Sequence, residues 1–416
     1  MSRAATIGSI VIVEPWAHLP NGHFPNRFAE LADAFAELGV PVAVLTSVGW
    51  HRDFQRAAGW TVHRYSRGAA MTVALAERLS ARLQRHWSRA RPFTRLVASA
   101  TAVVQARRLA RRLERSVPNG VTGIVTLDYV CAPLLIDLIG GSRPWVQHVF
   151  DEGVPFSTLR PLAELLARVR RLRGRSRSRV AMALPNDGWI APMARHAPNP
   201  HPALLRLAGT RQTATTKEAP RQRLGLREDL PVALHFGSTS ADRRPLTVAR
   251  AFAARSDWQL LLVGEMADVL GDPALADTTW NVPPIAIGGI VSDETRTLAY
   301  AAADVVLLSF REGFDRNSGT LMDAVSFGKP VVVSGPSYPA DVVAQLGIGT
   351  VYASGDPKSL SEAVDALTAM DTSQALADAC ERLSNRAIAR AHLELLAALA
   401  NDDEKALGSW VDAIRP

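Results

Sequence analysis

The sequence predicts an α/β protein of two doubly wound, Rossmann-like domains facing each other across a central cleft. Three observations carry that expectation. The chain has 416 residues, more than one hydrophobic core ordinarily serves. Each half opens with apolar strands separated by helices, the βαβ order that builds a parallel sheet. From Pro185 to Gln222 the texture turns to Pro, Asn, Gly and polar residues, as a linker requires.

The first half begins with the strand IVIVEPW, Ile10 to Trp16, and the loop AHLPNGHFPNR. A helix follows from about Phe24 to Leu38. Its apolar Phe28, Leu31, Ala32, Phe35 and Leu38 recur at helical spacing, and Gly39 closes it. The strand VPVAVLTS completes the unit. The stretch Arg67 to Ser116 reads as helical and basic. After it come the strand GIVTLDY (Gly123 to Tyr129), a helix near Ala132 to Ile139, and the strand PWVQHVFDE (Pro144 to Glu152).

The second half repeats the grammar. The strand LPVALHFGS leads into a helix over Pro245 to Ala254 and the strand WQLLLVGE. The strand PIAIGG, a helix over Asp293 to Ala302 and the strand DVVLL follow. Then come the stretch SFREGFDRNSGTLMDAVSFGKPVVVSG and the segment GIGTVYASGDPKSLSEAVDALTA. The expected division is residues 1–200 as the first domain, 201–222 as linker, 223–373 as the second domain and 374–416 as a helical tail packed back on the first.

Composition narrows the class. With 47% hydrophobic and 21% charged residues the chain reads as soluble and globular. The sequence has no run of about 18 apolar residues free of charge and proline, and its start lacks the pattern of a cleaved leader. Two cysteines, Cys131 and Cys380, are too few for a disulfide framework and suit a reducing cytoplasm. The net charge of +7 is concentrated. Between Arg78 and Arg115 eleven arginines face Glu114 alone, and RVRRLRGRSRSR (Arg168 to Arg179) has no acidic residue. These runs read either as solvated helix faces or as a surface for an anionic membrane or phosphorylated acceptor. Nucleic acid is disfavoured, because the basic runs match no known nucleic-acid-binding module.

Chemistry in such sheets gathers beyond the carboxyl ends of the strands. Three stretches qualify: HFGSTSADRR (His235 to Arg244) with Gly237, Arg243 and Arg244; VGEM with Gly264; and the stretch from Ser309. In the last, Ser318, Gly319, Thr320 and Leu321 begin a helix whose unpaired amides suit an anion. Asp315 and Asp323 are eight residues apart, one in the loop and one in the helix, with Glu312 nearby. Singly, each glycine reads as a turn, Asp323 as a solvated helix residue and His148 as a satisfied strand-end histidine. Asp151 and Glu152 fit either a helix cap or an acceptor contact.

Taken in order, RQRLGLREDLPVALHFGS, WQLLLVGE, IGGIVSDETRTLAYAAADVVLLSFREGF, LMDAVSFGKPVVVS and GIGTVYASGDPKSLSEAVDAL resemble the donor half of GT-B fold glycosyltransferases of the family 4 type. NGHFPNRFAELADAFAELGVPVAVLTS, WVQHVFD and APNP match that family's other half more loosely. The resemblance implies sugar transfer from a nucleoside-diphosphate sugar, with retention and without a metal or other cofactor. No Asp-x-Asp triplet occurs, which agrees.

The family's acidic pair falls on Asp315 and Asp323. Asp323 is implied to hold the nucleotide ribose and Asp315 a sugar hydroxyl, with Glu312 as rival for the second role. The amides of Gly319 to Leu321 and the guanidinium of Arg243 are implied to take the diphosphate. His148 is implied at the reacting sugar, and Gly22 and His23 near the donor phosphates. Gly264 lies where base and sugar selectivity is set. Ser238 replaces a family arginine, a departure that removes one positive charge, with Arg244 and Arg316 the candidates to restore it. The acceptor is expected to be a glycan, a lipid-linked saccharide or a secondary metabolite, at the cytoplasmic membrane surface if the arginine runs meet lipid. A catalytically weak scaffold of the same fold and a nucleotide-sugar 2-epimerase are the alternatives.

Overall fold

The computed structural model describes residues 6–14, 24–46, 60–72, 75, 90–116, 120–126, 143–148, 179–183, 201–203, 216–316, 318–403 and 406. Contacts divide the chain into two units, 1–206 with 385–415 and 207–384 with 416.

The first unit holds a seven-stranded parallel sheet in the order β3-β2-β1-β4-β5-β6-β7. Its strands are β1 (Ile7–Glu14), β2 (Val42–Thr46), β3 (Trp60–Arg64), β4 (Val121–Thr126), β5 (Trp145–His148), β6 (Val180–Ala183) and β7 (His201–Ala203). Helix α1 (Phe24–Glu37) links β1 to β2, and α2 (Ala90–Ser116) precedes β4. Alternate strand residues point to opposite faces. Val11 and Val13 therefore meet Ala102, Val103, Ala106, Leu109 and Ala110, the small apolar stripe of the basic helix α2. Arg108, Arg111, Arg112 and Arg115 of that helix are exposed. On the other face, a Cβ at Gly123 would lie 2.7 Å from Leu396 and 3.1 Å from Ile10. Leu396 belongs to a late helix (Asn385–Asn401) that packs on α1, β1, β4, β5 and β6.

The second unit holds a six-stranded parallel sheet in the order β10-β9-β8-β11-β12-β13. The strands are β8 (Val232–Phe236), β9 (Gln259–Val263), β10 (Ile285–Ile287), β11 (Val305–Leu308), β12 (Val331–Gly335) and β13 (Gly349–Ala353). Helices α3 (Glu218–Leu224), α4 (Pro245–Ala253), α5 (Asp293–Ala302), α6 (Gly319–Ser326), α7 (Tyr338–Leu346), α8 (Pro357–Thr368) and α9 (Ser373–Arg382) surround it, and the late helix of the first unit is α10. Strands buried on both faces read as the continuous apolar runs VALHF, QLLLV and VVLL. Val232, Leu234 and Phe236 enter one core layer and Ala233 the other.

Strand order reverses between β1 and β4 in the first unit and between β8 and β11 in the second. Those are the switch points at which open α/β sheets hold ligands. Four strands escaped the sequence reading: β3, β6, β7 and β13, the last inside a segment read without an assigned element. A 3-10 turn, Gly264–Gly271, also stands where the sequence suggested a plain loop after β9.

Candidate functional site

The carboxyl ends of β8, β9 and β11 meet at the second unit's switch point. Gly237 follows β8 with φ +130 and Gly264 follows β9 with φ +84. A Cβ on Gly264 would fall 2.6 Å from the Gly237 carbonyl oxygen, so glycine there is a condition of the two strand ends approaching. A Cβ on Gly237 would face Thr320 at 3.6 Å and the Arg243 guanidinium at 4.0 Å. Gly237, Arg243 and Thr320 are thus brought together from separate stretches of sequence.

Arg243 is fixed by its surroundings. Its guanidinium lies 4.2 Å above the Phe310 ring, and Nη2 reaches the Thr320 hydroxyl at 3.5 Å. Nη1 is buried with no hydrogen-bond partner. Burial pushes the guanidinium down to about 10, which still leaves it charged at neutral pH. Phe310 stacks on Phe314 at 4.3 Å, giving this platform depth.

Asp242 braces the adjoining loops. Its carboxylate accepts from Arg311 Nε at 2.6 Å and from Arg316 Nη2. The hydrogen bond from Arg311 is the main reason its carboxyl is held below the ordinary range. Arg316, a candidate replacement for the charge missing at Ser238, is therefore paired with Asp242. Arg244, the other candidate, is exposed and donates to the carbonyls of Ala241 (2.8 Å) and Arg243 (3.0 Å). Ser238, Glu312 and Asp315 are exposed on the same loops.

Helix α6 starts at the cradle. Ser318 caps it, its Oγ accepting from the Leu321 amide at 3.3 Å and meeting the Thr320 hydroxyl at 2.8 Å. The cap takes the Leu321 amide, so Gly319 and Thr320 present the amides at the helix start. One turn on, Asp323 is 6% exposed. Its Oδ1 forms an ion pair with Arg296 Nη1 of α5 at 3.2 Å, and Oδ2 is buried without a partner. The buried Tyr300 hydroxyl donates to the Thr320 carbonyl at 3.4 Å. Burial, reinforced by the Asp323 charge, keeps that phenol well above its ordinary pKa and therefore neutral. A cavity of about 600 Å³ adjoins the cradle, lined in part by Thr239, Arg243, Arg244, Arg250, Asp268 and Asp272.

In the first unit, His148 ends β5 at 1% exposure, bonded to His392 of α10. The two Nε2 atoms are 2.8 Å apart and the rings stack at 5.0 Å. His392 Nδ1–H donates to the Ile388 carbonyl at 2.7 Å. That assignment makes His392 Nε2 the acceptor and His148 Nε2–H the donor. Burial holds His392 at about 4 and His148 well below the usual imidazole value, so both are neutral at pH 7. Gly22 and His23 lie outside the described residues, as do Asp151 and Glu152.

Sequence reasoning did not find Arg296, Tyr300, Asp242 or His392. Each acts through a contact with a residue distant in sequence, and none has a local spacing that marks it.

Residues 216–390 match the family model described as glycosyl transferases group 1. A search by sequence among curated proteins found no match. Sucrose-phosphate synthase from Thermosynechococcus elongatus is similar in structure at a TM-score of 0.55 and 16% identity, over 97% of this chain and 99% of that one. HepE of Anabaena, solved in complex with UDP, is similar at a TM-score of 0.51 and 14% identity, over 96% of this chain and 100% of that one. At such identities the likeness is one of fold.

Proposed function

A group 1 glycosyltransferase domain spans residues 216–390 of this two-unit GT-B chain, and from that premise we propose that the enzyme transfers a sugar from a nucleoside-diphosphate sugar to an acceptor hydroxyl. The observation that carries this reading is the convergence of Gly237, Gly264, Arg243 and the start of α6 at the second unit's switch point. In this reading the Gly319 and Thr320 amides and Arg243 hold the diphosphate. As the bond between sugar carbon and phosphate oxygen breaks, negative charge gathers on the leaving β-phosphate. Aligned amides and a guanidinium stabilise that charge without a metal ion. Asp323 would hold the ribose, and Asp315 or Glu312 a hydroxyl of the sugar. Transfer with retention completes the proposal. HepE, which shares the fold, was solved with UDP, and this supports a nucleoside diphosphate as donor component.

The acceptor proposal is a molecule at an anionic membrane surface. Met71 and Leu75 of the first unit are 72% and 60% exposed, beside the exposed Arg64 and Arg67. Exposed apolar side chains together with exposed cations suit a lipid headgroup layer. Among the described residues no helix is long and apolar enough to cross a membrane.

Calorimetry with UDP, GDP, dTDP and ADP, without metal, tests the donor site. One nucleotide is expected to bind in the micromolar range, and Asp323→Ala to weaken it by about 1–3 kcal/mol, as for a lost charged hydrogen bond. Binding of none by the folded protein would overturn the reading in favour of a scaffold of the same fold.

A further inference from the structure

The Asp323 carboxylate has its two oxygens in different states. Oδ1 is held by Arg296 Nη1 at 3.2 Å, and Arg296 is itself steadied by Asp293 of the same helix, Nε to Oδ1, at 3.8 Å. Oδ2 is buried and has no donor. A buried carboxylate oxygen without a donor is destabilising by about 1–3 kcal/mol or more, so it is an acceptor matched to something that arrives. Asp323 also acts electrostatically on Tyr300, whose hydroxyl donates to the Thr320 carbonyl of the cradle.

A ribose presents two adjacent hydroxyls. A carboxylate with both oxygens open accepts one on each, and then rejects any nucleotide lacking a hydroxyl, because the abandoned oxygen is left buried and unpaired. Here Arg296 is already ion-paired with one oxygen. We propose that Arg296 sets the sugar selectivity of the nucleotide site: Asp323 engages a single ribose hydroxyl through Oδ2, and 2′-deoxyribonucleoside diphosphates are accepted about as well as their ribose counterparts. This rests on Asp323 as the ribose-binding residue. The 3′-hydroxyl, which both classes carry, takes Oδ2. The 2′-hydroxyl faces an oxygen that Arg296 occupies, so its absence leaves no polar group unpaired.

The test is calorimetric titration with matched pairs, UDP and 2′-dUDP, GDP and dGDP, ADP and dADP, CDP and dCDP, together with 3′-deoxy-UDP. For the base that binds, the wild-type ribo and 2′-deoxy affinities are expected within about threefold, whereas Arg296→Met opens Oδ1 and brings about a tenfold preference for ribose. Because each ratio is taken on one protein, a general loss of stability cancels from it. If UDP is the ligand, 3′-deoxy-UDP binds worse than both UDP and 2′-dUDP. A wild-type preference for ribose beyond about tenfold overturns the proposal while leaving the donor site intact. The same ratio in wild type and Arg296→Met also overturns it. Should Arg296→Met fail to fold, the wild-type ratio decides alone. Binding of no nucleotide overturns this proposal and the donor-site reading together.

Discussion

Two polar pairs, one in each unit, are built differently. In the first unit the His148–His392 pair is a closed relay: His148 donates to His392, which donates to the Ile388 carbonyl. It joins α10 to β5. In the second unit the Asp323–Arg296 pair ends on an open acceptor, the buried Oδ2. A relay that terminates on a backbone carbonyl strengthens the fold, whereas one that stops short of a donor is shaped for a ligand.

The largest effect expected of this difference is acid sensitivity in the first unit. The folded His392 sits at about 4, against an ordinary value near 6.5. As pH falls below about 6.5 the unfolded chain takes the proton first, so stability is full above that value and declines until about pH 4. By linkage the loss approaches about 3 kcal/mol for His392. Urea unfolding across that range checks it, and His392→Leu should flatten the decline. A residual slope persists, because burial also lowers His148 well below the usual value and His235 of β8 to about 3. An unchanged decline in His392→Leu would break the comparison.

Next in size is the cradle backbone. Gly264→Ala forces a side chain into φ +84 and against the Gly237 carbonyl. The expected loss is about 2 kcal/mol of stability with weaker nucleotide binding, measured by denaturant midpoints and calorimetry. Ser318→Ala removes the α6 cap and should lower stability by about 1 kcal/mol. Smallest is Arg223→Ala, which deletes the exposed pair with Glu294 and should change stability by less than about 0.5 kcal/mol. It gives the baseline for the other variants.

Much of the second unit was legible because its signals are local. The runs VALHF, QLLLV and VVLL are long and apolar enough to mark inner strands, and α4 and α5 carry proline, capping and periodic signals near the expected limits. Strands at or near the sheet edges gave less. β3 at one edge has a single buried side chain among its five, so it lacks an alternating pattern. β7 at the other contains Pro202, which argues against a strand except at an edge. β6 offers only four residues after a run of arginines.

The sequence alone determined the parallel α/β grammar, the glycines at strand ends, the α6 start and the placement of Asp323 one turn along it. Those properties depend on residues adjacent or a few positions apart, where propensity and periodicity act. Only tertiary structure decided that Arg296 takes one oxygen of Asp323, that Asp242 claims Arg316, and that His392 reaches His148 from the far end of the chain. Such pairings are fixed by how helices dock on a sheet, and a sequence does not display which distant side chains docking will bring within hydrogen-bonding distance.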